Sequence, residues 1–137
     1  MLNFFNFLKF FSPKSPVSPL LISRGYFMET RKEQFQLLNE ISYQYSFYLD
    51  YLNGRSNYTL AAVDSEDRED AIKYVGSVFR SFMQLPEDEK EVLNKEFFAR
   101  EEHNWWKSKY SEKQFKDTLF LGIRRFLFYF KEFRNAD

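Results

Sequence analysis

Cysteine is absent from this 137-residue sequence, which also contains one histidine, four prolines and four glycines. Without cysteine the chain forms no disulfide and offers no thiolate, and the reducing cytoplasm is the expected compartment. Metal sites and acid–base triads need clusters of histidine, cysteine or carboxylate groups, and the lone His103 forms no such cluster. A phosphate-binding loop needs several glycines close together, whereas these are isolated: Gly25, Gly54, Gly76 and Gly122. The sequence therefore predicts a protein that is not an enzyme and holds neither a metal nor a cofactor.

Aromatic side chains are abundant instead: they make up 21% of the residues, and 18 residues are phenylalanine. They supply a large apolar surface for the core of a chain whose length suits one domain. The net charge is zero, but its distribution is uneven. Residues 64–102 carry twelve acids and six bases, and residues 103–137 carry eight bases and four acids. This asymmetry fits either a charged binding surface or ordinary solvated helix faces.

Residues 1–27 differ from the rest of the chain. They contain Lys9, Lys14 and Arg24 and no acid, and their apolar run 2–11 is too short to span a membrane, so no membrane span is predicted. Three prolines then exclude a regular element at 13–19. Two interpretations remain, a weak amphipathic anchor or a non-native extension with the true start at Met28. We favour the second, because the codons of Phe, Asn and Lys are AT-rich, and expect a single helical domain over residues 28–137.

The first predicted helix begins at Thr30, which forms a capping box with Glu33. Asn53-Gly54 ends this helix. Its apolar residues recur at spacings of three and four, as the buried face of a helix requires: Phe35, Leu38, Ile41, Tyr45, Tyr48, Leu49 and Leu52.

The second predicted helix begins at Asp64 or Ser65 and ends before Leu85-Pro86, because a residue that precedes proline is pushed out of the helical region. Its core-facing stripe is predicted to consist of Ile72, Val75, Phe79 and Phe82. The third helix is predicted to have Pro86 as its first residue. Its spacing buries Val92, Leu93 and Phe97, and Phe98, on another face, needs a partner of its own. Whether this helix breaks near 101–104 or continues through Trp105-Trp106 stays open.

The last predicted helix is capped by Ser111 with Gln114. One long apolar stripe follows, and beyond Thr118 the helix is apolar nearly all round, which is typical of a helix central to a bundle or packed on a second chain. The predicted core of this region comprises Trp105, Trp106, Phe115, Leu119, Ile123, Phe126 and Phe130. Together the patterns predict an all-α fold, a small bundle of four to five helices with a long aromatic-rich C-terminal helix. Residues 87–133 are a candidate helix-turn-helix.

The segment 85–133, with Leu85-Pro86, the acids that follow, Trp105-Trp106 and the capped basic helix, resembles domain four of sigma factors. It resembles more the helix-turn-helix of ArpU-type phage transcription regulators. The resemblance implies that the start of the last helix enters the major groove and that the nucleic-acid-binding residues are Lys107, Lys109, Ser111, Lys113, Gln114 and Lys116, with Glu112 and Asp117 on the same face. From Met28 onward the chain also resembles a family of small mollicute proteins that share an aromatic WW…YS…F pattern, to which no activity is attached.

Two functional hypotheses follow. The first is a DNA-binding transcriptional regulator whose partners are duplex DNA or RNA polymerase, and whose Trp105-Trp106 could stack on bases, although a core role for this pair is favoured. The alternative is a non-enzymatic protein–protein interaction module, a homo-oligomer or a binder of another protein. In that hypothesis the docking surface is the apolar segment 119–130 of the C-terminal helix.

Overall fold

The structure, a computed structural model, describes residues 30–54 and 65–136. The N-terminal extension 1–27, the alternative start at Met28 and the linker 55–63 lie outside the described residues. Within these residues the chain forms four α-helices and no strand, so the predicted all-α bundle is confirmed. The helices are α1 (Arg31–Leu52), α2 (Ser65–Met83), α3 (Glu87–Leu93) and α4 (Glu112–Ala136), and a π-helical turn (Asn94–Phe98) and a 3-10 turn (Trp105–Ser108) lie between α3 and α4.

Local capping and turn geometry set both ends of α1 and the start of α4. Thr30 Oγ1 accepts a hydrogen bond from the Glu33 amide at 3.1 Å and opens α1. At its end, Gly54 adopts a φ of 70°, a left-handed conformation that suits glycine. At the start of α4 the bonds are reciprocal: the Gln114 amide donates to Ser111 Oγ at 3.1 Å, and the Ser111 amide donates to Gln114 Oε1 at 3.0 Å. The predicted caps of α1 and α4 are confirmed, and each contributes about 1 kcal/mol.

Helix α4 is the centre of the bundle, because it packs against α1, α2 and α3. Its predicted stripe is buried from Phe115 to Phe130, and the last member of that stripe, Phe133, is half-buried. Leu127, which lies beside that stripe, is also fully buried, whereas Phe120 and Phe128 are half-buried. The apolar surface of α4 is therefore covered largely by the other helices of the same chain. The buried residues of α4 are Phe115, Leu119, Gly122, Ile123, Phe126, Leu127 and Phe130.

The prediction of which face of α2 is buried in the core is wrong. Ile72 is 52% exposed and Phe79 is 58% exposed, while Val75 and Phe82 are half-buried. The helix instead buries the neighbouring face, which consists of Ala71, Tyr74, Ser77, Val78 and Ser81. The Tyr74 ring lies edge-on to Tyr48 and Phe130, with ring centroids at 5.3 and 5.4 Å. Small side chains on either side of Tyr74 allow α2 to approach α1 and α4 closely, and this packing outweighs the greater hydrophobicity of the other face.

The third helix does not continue through Trp105-Trp106, because an irregular connection separates α3 from α4. Pro86 is the cap of α3, not its first helical residue, because its ψ is 156°. After α3 the backbone widens into one π-helical turn, closed by a bond from the Ala99 amide to the Asn94 carbonyl at 2.7 Å. Residues 99–104 then leave the helical conformation, so of the two alternatives left open by the sequence, the break near 101–104 is the one that occurs.

The π-helical turn directs two consecutive phenylalanines to different partners. Phe97 is buried and lies 4.9 Å from the Phe35 ring. Phe98 contacts three other rings at 5.6 to 6.1 Å, those of Tyr45, Phe82 and Phe126. The prediction that Phe98 needs a partner distinct from the α3 stripe is confirmed. None of the described helices is both long enough and apolar enough to cross a membrane.

Candidate functional site

The first candidate surface is the start of α4, where DNA contacts were predicted. Residues 109–111 join the 3-10 turn to α4, and this length matches the three-to-four-residue turn of a helix-turn-helix. The element before that turn is a single 3-10 turn, Trp105–Ser108, in place of an α-helix. The region therefore supplies a capped helix and a short turn, but its first helix is reduced to about one turn.

The predicted DNA-binding side chains lie together on this surface, and several already have intramolecular partners. Lys109 Nζ lies 2.9 Å from a carboxylate oxygen of Glu91, and Lys116 Nζ lies 3.0 Å from Glu112. Lys107 lies over the Trp106 ring at 5.9 Å. Ser111 and Gln114 form the cap of α4, and Lys113 is exposed. Because Glu112 and Asp117 are exposed beside the lysines, this face carries nearly balanced charge.

The tryptophan pair packs against the core through Phe115. The Trp106 ring stacks on Phe115 at 4.6 Å with an interplanar angle of 10°, and Trp105 lies edge-on to the same ring at 6.0 Å. The Trp105 Nε1 group donates to Glu96 at 2.9 Å. Both tryptophans are half-buried. One face of Trp106 is thus covered by Phe115, an arrangement that stabilises the connection before α4.

Glu91 holds this connection to α3, a role that no sequence pattern indicates. Its carboxylate accepts hydrogen bonds from Lys109 Nζ at 2.9 Å and from Tyr110 Oη at 2.8 Å, and Lys95 Nζ lies 3.7 Å away. These hydrogen bonds lower the pKa of Glu91, while burial and the Glu91 carboxylate raise the pKa of Tyr110 to about 12. An open groove of about 680 Å³ beside Glu91 is lined by acidic and basic side chains in similar number. No local pattern links residues that are so far apart in sequence.

The second candidate surface is an exposed apolar strip on α2. We call it the α2 stripe and define it as Ile72, Val75, Gly76, Phe79 and Met83. Ile72, Phe79 and Met83 are 50 to 58% exposed, and Val75 is half-buried at the edge of the strip. A Cβ atom built on Gly76 would meet nothing within 4 Å, so the middle of the stripe is open at the surface. Contiguous exposed apolar surface of this kind marks a binding surface in many proteins.

A buried carboxylate lies between α3 and α4. Glu89 is 4% exposed, its Oε2 atom lies 3.5 Å from an Arg125 nitrogen, and its Oε1 atom has no hydrogen-bond partner in the described part of the chain. Burial raises the pKa of Glu89, and Arg125 opposes this rise. The folded protein therefore binds a proton at Glu89 more tightly than the unfolded chain does. The stability contributed by this group rises as the pH falls through the folded pKa, and it is lost above that pKa.

We expect Glu89→Gln to raise the free energy of unfolding by about 1 kcal/mol at about pH 8, because the amide removes a buried charge that lacks a full set of hydrogen bonds. The difference in the free energy of unfolding between Glu89→Gln and the wild type should narrow as the pH falls and Glu89 itself takes up a proton. Urea unfolding at a series of pH values measures this difference in the free energy of unfolding. Glu87→Gln is the matched control, because Glu87 is in the same helical turn but its side chain is 92% exposed. A difference that widens as the pH falls would show that Glu89 is not destabilised by burial.

Comparison of the chain with protein-family models, with curated proteins and with solved structures returns no match.

Proposed function

We propose that this helical domain is a non-enzymatic protein–protein interaction module and that the α2 stripe is its docking surface. The observation that carries the proposal is the exposure of Ile72, Phe79 and Met83 on one face of a helix whose opposite face is firmly packed. Full burial of an exposed side chain of this size contributes roughly 1.5 to 3 kcal/mol. Because these three are about half exposed, burying them on a partner contributes about 2 to 4 kcal/mol in gross terms.

The docking surface proposed here differs from the one that the sequence suggested. The apolar segment 119–130 of α4 was the expected surface, but Leu119, Ile123 and Leu127 within it are all buried. Leu121 is the most exposed apolar side chain of that segment, at 39%. The α2 stripe thus offers more accessible apolar surface than α4 does.

The start of α4 supports duplex DNA binding less well. Affinity for DNA depends strongly on lysines and arginines that are available to phosphates. Here Lys109 and Lys116 lie within ion-pair distance of carboxylates, and exposed acids adjoin Lys113. A DNA contact at these positions would have to displace or tolerate the neighbouring carboxylates.

Thiol labelling of a single cysteine tests the docking proposal, because the natural chain contains no cysteine. In Met83→Cys the thiol replaces one side chain at the end of the α2 stripe and leaves Phe79 intact. We expect maleimide to react rapidly with this thiol in dilute purified protein, and roughly tenfold more slowly in cells at natural expression, where a partner covers the stripe. Adding Phe79→Asp should restore rapid labelling in cells, because a charge in the middle of the stripe weakens docking.

Tyr43→Cys is the control, because Tyr43 lies on α1 and is 73% exposed. Its labelling rate should be the same in cells and in dilute solution once both rates are corrected for reagent uptake. If the ratio of the cellular rate to the dilute-solution rate were the same for Met83→Cys and Tyr43→Cys, the docking proposal would be overturned.

A further inference from the structure

We infer that the partner of the α2 stripe is a second copy of this chain, bound through an antiparallel pair of α2 helices related by a two-fold axis. This inference rests on the proposed docking function and names its partner. Two features of the described residues support it, the shape of the stripe and the distribution of charge along α2.

The stripe contains both a projecting side chain and a depression that could receive it. Ile72, Val75, Gly76 and Phe79 have the i, i+3, i+4, i+7 spacing that forms a hole between side chains on a helix surface. Gly76 leaves this hole open, because a Cβ at that position would have nothing within 4 Å. Phe79, which is 58% exposed, is the largest side chain that projects from the stripe.

A two-fold axis near the middle of the stripe pairs the projecting side chain of each copy with the depression on the other copy. It places Phe79 of each copy into the hole at Gly76 of the other copy, and it brings Ile72 of each copy to Met83 of the other. A surface that carries both members of a complementary pair can form a closed dimer by symmetry, in which every contact occurs twice. The pairing therefore covers all three exposed apolar side chains of the stripe in each copy.

Charge selects the antiparallel direction. The first turns of α2 carry the exposed acids Asp67, Glu69 and Asp70 with one base, Arg68, so they are net negative, and the rest of the helix carries the bases Lys73 and Arg80 and no acid. A parallel pair would place the two acidic turns side by side, where like charges repel. The antiparallel pair places the two acidic turns at opposite ends of the interface, where they do not repel each other.

The test is sedimentation velocity of the purified full-length chain over a range of concentrations. We expect a reversible monomer–dimer equilibrium, and we expect Gly76→Glu to raise the dissociation constant at least roughly tenfold by filling the hole with a charged side chain. The monomer should tolerate this change, since position 76 is open and glutamate favours the helix more than glycine does. Thermal unfolding at low concentration checks that tolerance, and Tyr43→Glu on α1 is the charge-matched control.

Spin labels on Glu69→Cys measure the direction of pairing. In the antiparallel pair the two labelled positions lie roughly 25 Å apart along the helix axes, at a rise of about 1.5 Å per residue. In a parallel pair they would lie only about 10 Å apart. A separation near the shorter distance overturns the antiparallel arrangement.

The outcomes also distinguish this inference from the docking function on which it rests. A chain that stays monomeric at every concentration, while the Met83→Cys thiol is protected in cells, has a different partner, and only the second-copy inference fails. Protection of that thiol in dilute purified protein, independent of concentration, would mean that the chain covers its own stripe, and both would fail. A dimer that Gly76→Glu leaves intact would place the interface elsewhere.

Discussion

Phe126→Ala is expected to destabilise the protein by about 4 kcal/mol, a large part of the roughly 5 to 15 kcal/mol by which domains are stable. Phe126 is fully buried in the middle of α4. Its ring stacks on Phe130 at 5.9 Å and contacts Phe98 at 6.1 Å, so it connects the central helix to the π-helical turn after α3. Removing the ring leaves a cavity that these rigid neighbours fill only in part. Urea or thermal unfolding followed by circular dichroism measures the loss.

Phe79→Ala is the matched control, because it makes the same change on α2 where the ring is 58% exposed. Measured in dilute solution, where the chain is monomeric, it should change the free energy of unfolding by no more than about 0.5 kcal/mol. The pair tests the orientation of α2 directly. If Phe79→Ala cost as much as Phe126→Ala, the face of α2 that carries Phe79 would be in the core and the α2 stripe would not exist as a surface.

Gly122→Leu is expected to destabilise the protein by about 3 kcal/mol, because α3 crosses α4 closely at this glycine. A Cβ added at Gly122 would lie 3.3 Å from Cβ and Cγ of Glu89 and 3.4 Å from Cγ of Leu93. One carbon can be accommodated by small shifts of these neighbours, but an isobutyl group has to push the two helices apart. Equilibrium unfolding measures the cost, and the Glu89–Arg125 contact should weaken with it.

Two further substitutions separate steric crowding from helix propensity. Gly122→Ala should be close to neutral, since the tight contact offsets the roughly 1 kcal/mol that alanine contributes over glycine in a helix. Gly76→Leu introduces the same side chain as Gly122→Leu, but at a glycine with open space around it. It should leave the monomer as stable as the wild type or more so. A similar loss at positions 76 and 122 would show that crowding by α3 is not the cause.

The position of α4 links stability to the proposed function. Because α4 is packed by α1, α2 and α3, its apolar surface is largely used within the chain. Helix α2 packs through Tyr74 and the small residues around it, and its more hydrophobic face remains outside. The orientation of α2 that places Tyr74 in the core therefore also leaves exposed the apolar surface on which docking and self-pairing are proposed.

The sequence by itself determined both ends of α1 and the start of α4. The caps at Thr30 and Ser111 and the stop at Gly54 depend on bonds or backbone angles within three or four residues, so a local pattern is enough to predict them. The stripe of α4 was equally readable, because one face of that helix is apolar over its whole length. The all-α class follows from these local signals.

Only the tertiary structure decided which face of α2 is buried, and with it the candidate site. Helix α2 carries two apolar faces at adjacent positions, one with Ile72 and Phe79 and the other with Tyr74 and Val78. Both have helical spacing, so periodicity cannot choose between them. The choice depends on the shapes that α1 and α4 present, since Tyr74 fits between Tyr48 and Phe130. The contacts of Glu91 with Lys109 and Tyr110 likewise could not be predicted from the sequence, because they join residues that only the folded chain brings together.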